Sequence, residues 1–196
     1  DLVARLQKSY PPERLSVHAG DALKFDFGAL GPGLRVVGNL PYNISSPLLF
    51  HLADYAPQLA DLHFMLQKEV VDRIVAVPST ADYGRLTVML ARRFHAEWLF
   101  DVPPTAFDPP PKVMSAIVRL IPKTPAEIAP LDDALFARVV QAAFAQRRKT
   151  LRNTLAGVAT AADLEACGVD PGLRAEALPL AAYEALAQRL TASRAG

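Results

Sequence analysis

Cysteine is almost missing from this chain: Cys167 stands alone among 196 residues, which excludes an internal disulfide and any metal site built on clustered thiolates. The four histidines, His18, His51, His63 and His95, show no ligand spacing, so no metal is expected. A solitary thiol of this kind reads as a buried, inert side chain. Long apolar runs are lacking as well. Nothing approaches the ~20 residues a membrane-spanning helix needs, and no signal-peptide pattern is read, so the expected compartment is the cytoplasm and no membrane partner is expected. An excess of one charge is also missing: 21 basic residues stand against 20 acidic ones, a net charge of +1. No global field advertises nucleic acid, and any such binding must come from a local patch. Internal repeats and low-complexity segments are absent. Gly31-Pro32-Gly33 resembles a phosphate-cradling loop only superficially, because it precedes its strand instead of joining strand to helix.

What is present is a composition that can bury a real core. At 51% hydrophobic, 196 residues make one large domain or one and a half small ones. Leu2 to Gln7 reads as the end of a helix, closed by Tyr10-Pro11-Pro12 because proline cannot continue the ladder. The amphipathic pattern begins at once, as if the chain were entered in mid-domain. Leu15 to Ala19 is a short strand candidate ending at Gly20-Asp21-Ala22, which puts a carboxylate just past a strand end, where open α/β sheets bind ligands. The same carboxylate could equally hydrogen-bond its own turn. Arg35 to Gly38 is the next strand, followed by Ser46 as helix cap, Pro47 as first helical residue and an apolar face of Leu48, Leu49, Leu52 and Tyr55.

Further on, Leu62 to Leu66 reads as a strand, Gln67 to Ala76 and Gly84 to Phe94 as helices, and Trp98 to Val102 and Ser115 to Ile121 as strands. Arg92 and Arg93 sit near a helix end, where positive charge suits the dipole. The alternation predicts an α/β fold with a largely parallel sheet. Pro122, Pro125 and Pro130 mark a linker, and alanine-rich helix follows. Leu131, Leu135 and Val139 form one stripe there and Phe136, Val140 and Phe144 another, which predicts a buried helix. Gly168 ends a helix, Asp170 and Pro171 start the next, and residues 181 to 191 form a last one.

Three stretches carry chemistry. Asn39-Leu40-Pro41-Tyr42 lies at the carboxyl end of a strand. Its amide oxygen can accept a hydrogen bond from an exocyclic amine, a nearby backbone carbonyl can accept another, Pro41 stiffens the turn, and Tyr42 offers a stacking face. A strand-ending turn with a half-buried tyrosine would look the same. Phe107 heads a loop whose three prolines, Pro109 to Pro111, pre-order an extended backbone. It is either a fixed aromatic plate or an anchor pinning the loop to the core. Arg147, Arg148, Lys149 and Arg152 concentrate four positive charges. On a helix, Arg148, Lys149 and Arg152 would share one face while Leu151 and Leu155 turn to the core, and that face would suit a phosphate backbone or merely solvent.

Together, Asn39-Leu40-Pro41-Tyr42, the pattern Phe107-x-Pro109-x-Pro111-x-Val113-x-Ser115 and the stretch Phe144 to Asn153 resemble the small-subunit ribosomal RNA adenine dimethyltransferases, and His63 to Val70 resembles their bacterial branch. The resemblance runs over nearly the whole chain. It implies a Rossmann-like class I methyltransferase domain over residues 1–122 and a small all-helical domain over 123–196. It implies S-adenosylmethionine as cofactor, with Asp21, Ala22 and Asn39 binding it, and 16S rRNA of the small-subunit precursor as partner of a monomer. Asn39, Leu40, Pro41, Tyr42 and Phe107 would form the catalytic site, and Arg147, Arg148, Lys149 and Arg152 the RNA grip. The reaction implied is N6,N6-dimethylation of two adjacent adenosines near the 3′ end of that rRNA. The family's glycine-rich turn and ribose-binding acid belong before Asp1, so these 196 residues alone are expected to bind cofactor weakly. Two other readings stay in view: a non-catalytic small-subunit assembly factor, and a large-subunit rRNA dimethyltransferase of the antibiotic-resistance type.

Overall fold

The computed structural model describes residues 1–194. Its sheet has the spatial order β1-β2-β4-β3, built from β1 (Leu34–Asn39), β2 (Leu59–Gln67), β3 (Phe94–Val102) and β4 (Ser115–Pro122). A first helix, α1 (Leu2–Ser9), precedes the sheet in the chain; only β1 and β2 are parallel, joined through α2 (Ser45–Ala53), and β4 runs antiparallel to both β2 and β3. The sheet is therefore mixed, not largely parallel. The reason is local: the proline-rich stretch after Val102 folds β3 straight back onto β4 as a long-looped hairpin, and a hairpin pair must be antiparallel. The strand expected at Leu15 to Ala19 does not form. That segment finds no ladder partner, and its apolar residues Leu15 and Val17 are only half-buried.

Alternation decides which face of the sheet is covered. Leu62, Phe64 and Leu66 of β2 and Ala116, Val118 and Leu120 of β4 point to one side and are buried. Against them pack Leu48, Leu49 and Leu52 of α2, Val71 and Ile74 of α3 (Lys68–Val75) and Leu90 of α4 (Arg85–Ala91). Each fully buried Leu or Phe here contributes about 1.5–3 kcal/mol. The start of α2 is Ser45, one residue before the expected cap, and Ser45 Oγ donates to Tyr42 O at 3.1 Å. Pro47 is tolerated because it still lies in the first turn, where backbone N–H groups have no helical acceptor.

A second core follows the linker. α5 (Asp133–Ala143) is capped by Asp132, whose carboxylate accepts from the Ala134 and Leu135 N–H groups at 2.9 and 3.1 Å. Both predicted stripes of α5 are buried in Leu135, Phe136, Val139 and Val140, against Tyr183, Leu186, Ala187 and Leu190 of α8 (Leu180–Arg194). Between them lie α6 (Leu151–Thr154) and α7 (Ala161–Ala166). Gly168 ends the last of these at φ +74°, a conformation glycine adopts without strain. The helix expected at Asp170-Pro171 is instead a turn, in which Asp170 accepts from the Gly172 N–H at 2.8 Å. Asp170 has bonded its own backbone two residues on, the usual competitor of helix initiation. Tyr83 and Val88, from the sheet-bearing half, belong to this second core, so α4 faces both.

Arg92 joins the two halves. Its guanidinium is 4% exposed, donates to Asp133 at 2.8 Å, Glu184 at 3.1 Å and the Ala129 carbonyl at 3.2 Å, and stacks 5.2 Å from the Phe136 ring centre. Arg92 stands at the C-terminal end of α4 as expected, but its partners lie in the linker, α5 and α8.

Candidate active site

Strand register places the chemistry. Asn39 ends β1 opposite Met65, Gln67 ends β2 opposite Ser115, and Ser115 starts β4 opposite Val102, the end of β3. The Asn39 turn and the Phe107 loop therefore stand at the same end of the sheet. β1 and β4 are two strand spacings apart, about 10 Å, which a flat base and its flanking rings would fill. The loop is tied to that end where the Lys68 N–H donates to Met114 O at 2.9 Å.

Within the turn, hydrogen bonds select the acceptors. The Leu40 N–H holds the turn to the sheet through Met65 O at 3.2 Å. Pro41 O accepts from the Ile44 N–H and Tyr42 O from Ser45 Oγ, whereas Leu40 O has no protein donor among the described residues. Asn39 is exposed, Leu40 half-buried and Tyr42 75% exposed, so the turn offers a side-chain amide, an unclaimed carbonyl and a largely open ring close together. Phe107 is half-buried, and its N–H is fixed to Pro104 O at 3.2 Å. Gly38, immediately before Asn39, is a close approach: a Cβ there would lie 3.1 Å from Leu40 Cδ2 and 3.6 Å from the Phe64 ring. Any larger residue would push Leu40, and with it the turn.

Asp21 and Ala22 line a separate cavity of about 310 Å³ with His18, Gly20, Phe25 and Phe27. Asp21 Oδ1 accepts from the Leu23 N–H at 2.9 Å, which leaves Oδ2 open as an acceptor. Phe25 packs edge-on between His18 and Phe27, with ring centres 5.1 and 4.9 Å apart. His51 of α2 donates to the Phe25 carbonyl at 2.7 Å and so ties this loop to the helix that leaves the Asn39 turn. The acidic group and aromatic walls suit a flat heterocycle bearing an amine. The sequence pointed to Asp21 but not to Phe25, Phe27 and His18; their chain spacing has no period that could have shown them.

The basic residues lie elsewhere, on the helical half. Arg147, Arg148 and Lys149 occupy a turn, not a helical face, and only Arg152 is in α6. The chain leaves α5 at Phe144, turns with the Lys149 N–H donating to Gln146 O at 3.0 Å, and re-enters helix after Thr150. Thr150 bridges antiparallel to Arg174, a cation the sequence did not single out. Leu151 and Leu155 are fully buried beneath, as expected. Cys167 is half-buried, and its burial pushes the thiol pKa up.

A Rossmann-like sheet with its binding groups at the strand ends and a helical extension beyond defines an α/β methyltransferase. The particular family follows from comparison: the chain belongs to the ribosomal RNA adenine dimethylases, whose profile matches residues 1–192. It is 71% identical over 186 residues to the ribosomal RNA small subunit methyltransferase A of Thiobacillus denitrificans, covering 95% of this chain and 73% of that protein. It is 60% identical to the protein so named in Aromatoleum aromaticum, covering 98% and 72%. Among solved structures, a dimethyladenosine transferase from Plasmodium falciparum superimposes with a TM-score of 0.75 at 26% identity, covering 93% of this chain and 74% of that one. The 23S rRNA methyltransferase ErmE superimposes with a TM-score of 0.66 at 25% identity, covering 96% and 78%.

Proposed function

We propose that this chain carries out S-adenosylmethionine-dependent N6,N6-dimethylation of two adjacent adenosines near the 3′ end of 16S rRNA, in the precursor of the small ribosomal subunit. The observation that carries the reading is the Asn39 turn, which leaves one amide oxygen and one backbone carbonyl unclaimed beside an exposed ring. Asn39 Oδ1 and Leu40 O accept the two hydrogens of the adenine amine, and Tyr42 and Phe107 close on the faces of the base. Stacking of this kind contributes roughly 1–3 kcal/mol per base. An adenine amine is a weak nucleophile because its lone pair is shared with the ring; two acceptors on its hydrogens return density to N6 and fix its direction. The base must be unpaired or flipped to reach such a turn.

The residues present fit the cofactor's adenine: Asp21 Oδ2 is open to its amine, and Phe25 and Phe27 wall the cavity. Bound there, S-adenosylmethionine supplies an electrophilic methyl group. Ala22 lines the same cavity, and Asn39 stands between this site and the target base in our reading. Arg147, Arg148, Lys149 and Arg152 hold rRNA on the helical half. The catalytic domain is taken as residues 1–122, the RNA-binding domain as 123–196, and the protein as a cytoplasmic monomer. Among the described residues no helix is long and apolar enough to cross a membrane.

The large-subunit alternative is disfavoured by degree: several relatives at 54–71% identity are named for the small subunit, against 25% for the 23S rRNA enzyme. Tyr42→Ala and Phe107→Ala are expected to lower methylation of unmethylated small subunits about tenfold each, the worth of one lost stacking face, while subunit binding holds. Unchanged turnover in both removes the stacking role; absence of methyl transfer from the native protein would favour a non-catalytic assembly factor.

A further inference from the structure

The loop between α3 and α4, residues 76–84, belongs to the sheet-bearing half by chain order yet is fastened to the helical half. The Ser79 N–H donates to Glu176 O at 2.8 Å, and the Tyr83 hydroxyl donates to Leu178 O at 2.6 Å. Arg147 adds a third tie, donating to Ala81 O and lying 3.6 Å from the Glu176 carboxylate. Ser79 sits at φ +66°, a left-handed conformation uncommon outside glycine, which its bond to Glu176 O helps to hold. Tyr83 is 4% exposed, and burial pushes its pKa up to about 12, so the hydroxyl stays a donor through the neutral range. The loop itself is stiff. The Thr87 hydroxyl donates to Arg73 O at 2.5 Å and accepts from the Gly84 N–H at 3.0 Å, which closes the loop's two ends on each other.

The carbonyls of Glu176 and Leu178 lie on a short segment that also carries the basic turn. Arg174 bridges antiparallel to Thr150, the Leu151 N–H donates to Leu173 O at 2.8 Å and the Arg152 N–H donates to Pro171 O at 3.0 Å. On the other side, α3 begins directly after β2, whose Met65 is the register partner of Asn39. Secondary structure and hydrogen bonds therefore lead without a break from the Asn39 turn through β2, α3 and the 76–84 loop to residues 171–178 and the basic turn. Tyr83 and Arg92 flank α4, whose seven residues hold them about 10 Å apart. A single fastening at Arg92 would let the halves pivot. A second at Tyr83 removes that freedom on the side of the basic turn.

Resting on the rRNA reading above, we infer that Tyr83 is a positioning residue for the methylation: its bond to Leu178 O sets the distance and direction from the basic turn to the Asn39 turn. RNA held by the one then presents its target base to the other. Without that bond the RNA is held as tightly but shifts against the site, and a base misplaced by about 1 Å reacts slowly. Tyr183 supplies the comparison. It is fully buried and its hydroxyl donates to Ala175 O at 2.6 Å, but both partners belong to the helical half.

The test compares the full protein with Tyr83→Phe and Tyr183→Phe on unmethylated small subunits, well below the thermal midpoint. Both variants lose a buried hydroxyl and are expected to melt a few degrees lower, to about the same extent. Tyr83→Phe is expected to lower kcat about fivefold, the order of one lost hydrogen bond. Its KM for subunits and the slope of log affinity against log salt stay unchanged, because no cation is removed. Tyr183→Phe keeps the native kcat. Equal losses of kcat in the two variants, or an undiminished kcat in Tyr83→Phe, overturn the positioning role and leave the rRNA reading standing. No methyl transfer from the native protein overturns the rRNA reading, and the role of Tyr83 with it.

Discussion

Asn39 concentrates the account at the scale of one residue. Asn39→Ala removes one of two acceptors while leaving Leu40 O, the stacking rings and the Asp21 cavity in place, and is expected to lower the methylation rate about 100-fold or more, as loss of one preorganised polar group does elsewhere. Subunit affinity should change little, which separates a loss at the site from a loss of RNA binding. By itself the four-residue stretch reads equally well as a common strand-ending turn; Asn39 stands out only when it is taken with the Phe107 loop and the basic stretch that carry the family resemblance. Leu40 was legible only as one of four; that its carbonyl is the free one depends on Ile44 and Ser45 claiming the next two. Asp21 stands out in the sequence as a carboxylate past a strand end, although the strand expected before it does not form and its carboxylate caps a turn.

At the scale of elements, helix ends and turns account for most of the differences between expectation and structure. Apolar runs located β1 and β2 and alternation located β4; in the fold Leu62, Phe64, Leu66, Ala116, Val118 and Leu120 alternate with half-exposed residues. The basic stretch misled because its charges fit helical spacing; the fold places it in a turn, with Arg147 drawn away to Ala81. Capping acids give a pH test of these ends. The Asp163 carboxylate accepts from the Thr160 N–H at 2.9 Å, Thr160 Oγ1 at 2.8 Å and Arg189 at 3.0 Å, and these bonds, the backbone one first, hold its pKa below the ordinary 3.8. The folded protein therefore binds fewer protons here than the unfolded chain in acid. The stability this supplies is present above the unfolded carboxylate pKa and is lost as pH falls through the folded one. Asp163→Asn should lower the thermal midpoint near pH 7 and make its decline below the ordinary carboxylate pKa shallower; an acid limb as steep as in the native protein would show that this cap does not contribute.

For the whole molecule, the two halves are held in one posture by Arg92. Asp133 and Glu184 lie far along the chain from it, and no sequence period connects them, which is why the contact could not be read beforehand. Arg92→Met keeps much of the packing on Phe136 but leaves Glu184 without its partner in a mostly buried place and Ala129 O without a donor. A loss of about 3 kcal/mol is expected, at the low end for a broken buried pair because Asp133 is half-exposed. Calorimetry should show this as a lower midpoint or as two separate transitions; an unshifted single transition would mean the halves are held by apolar contacts such as Tyr83 and Val88 alone.

The sheet end around Asn39 is proposed to dimethylate adenosine in small-subunit rRNA. The test is transfer of labelled methyl groups from S-adenosylmethionine to unmethylated small subunits, with the modified bases identified by mass spectrometry, for the full protein and its Asn39→Ala variant. Two N6,N6-dimethyladenosines near the 3′ end of 16S rRNA are expected from the full protein and almost none from Asn39→Ala. Full activity in the variant, or no dimethyladenosine from the native protein, would overturn the reading.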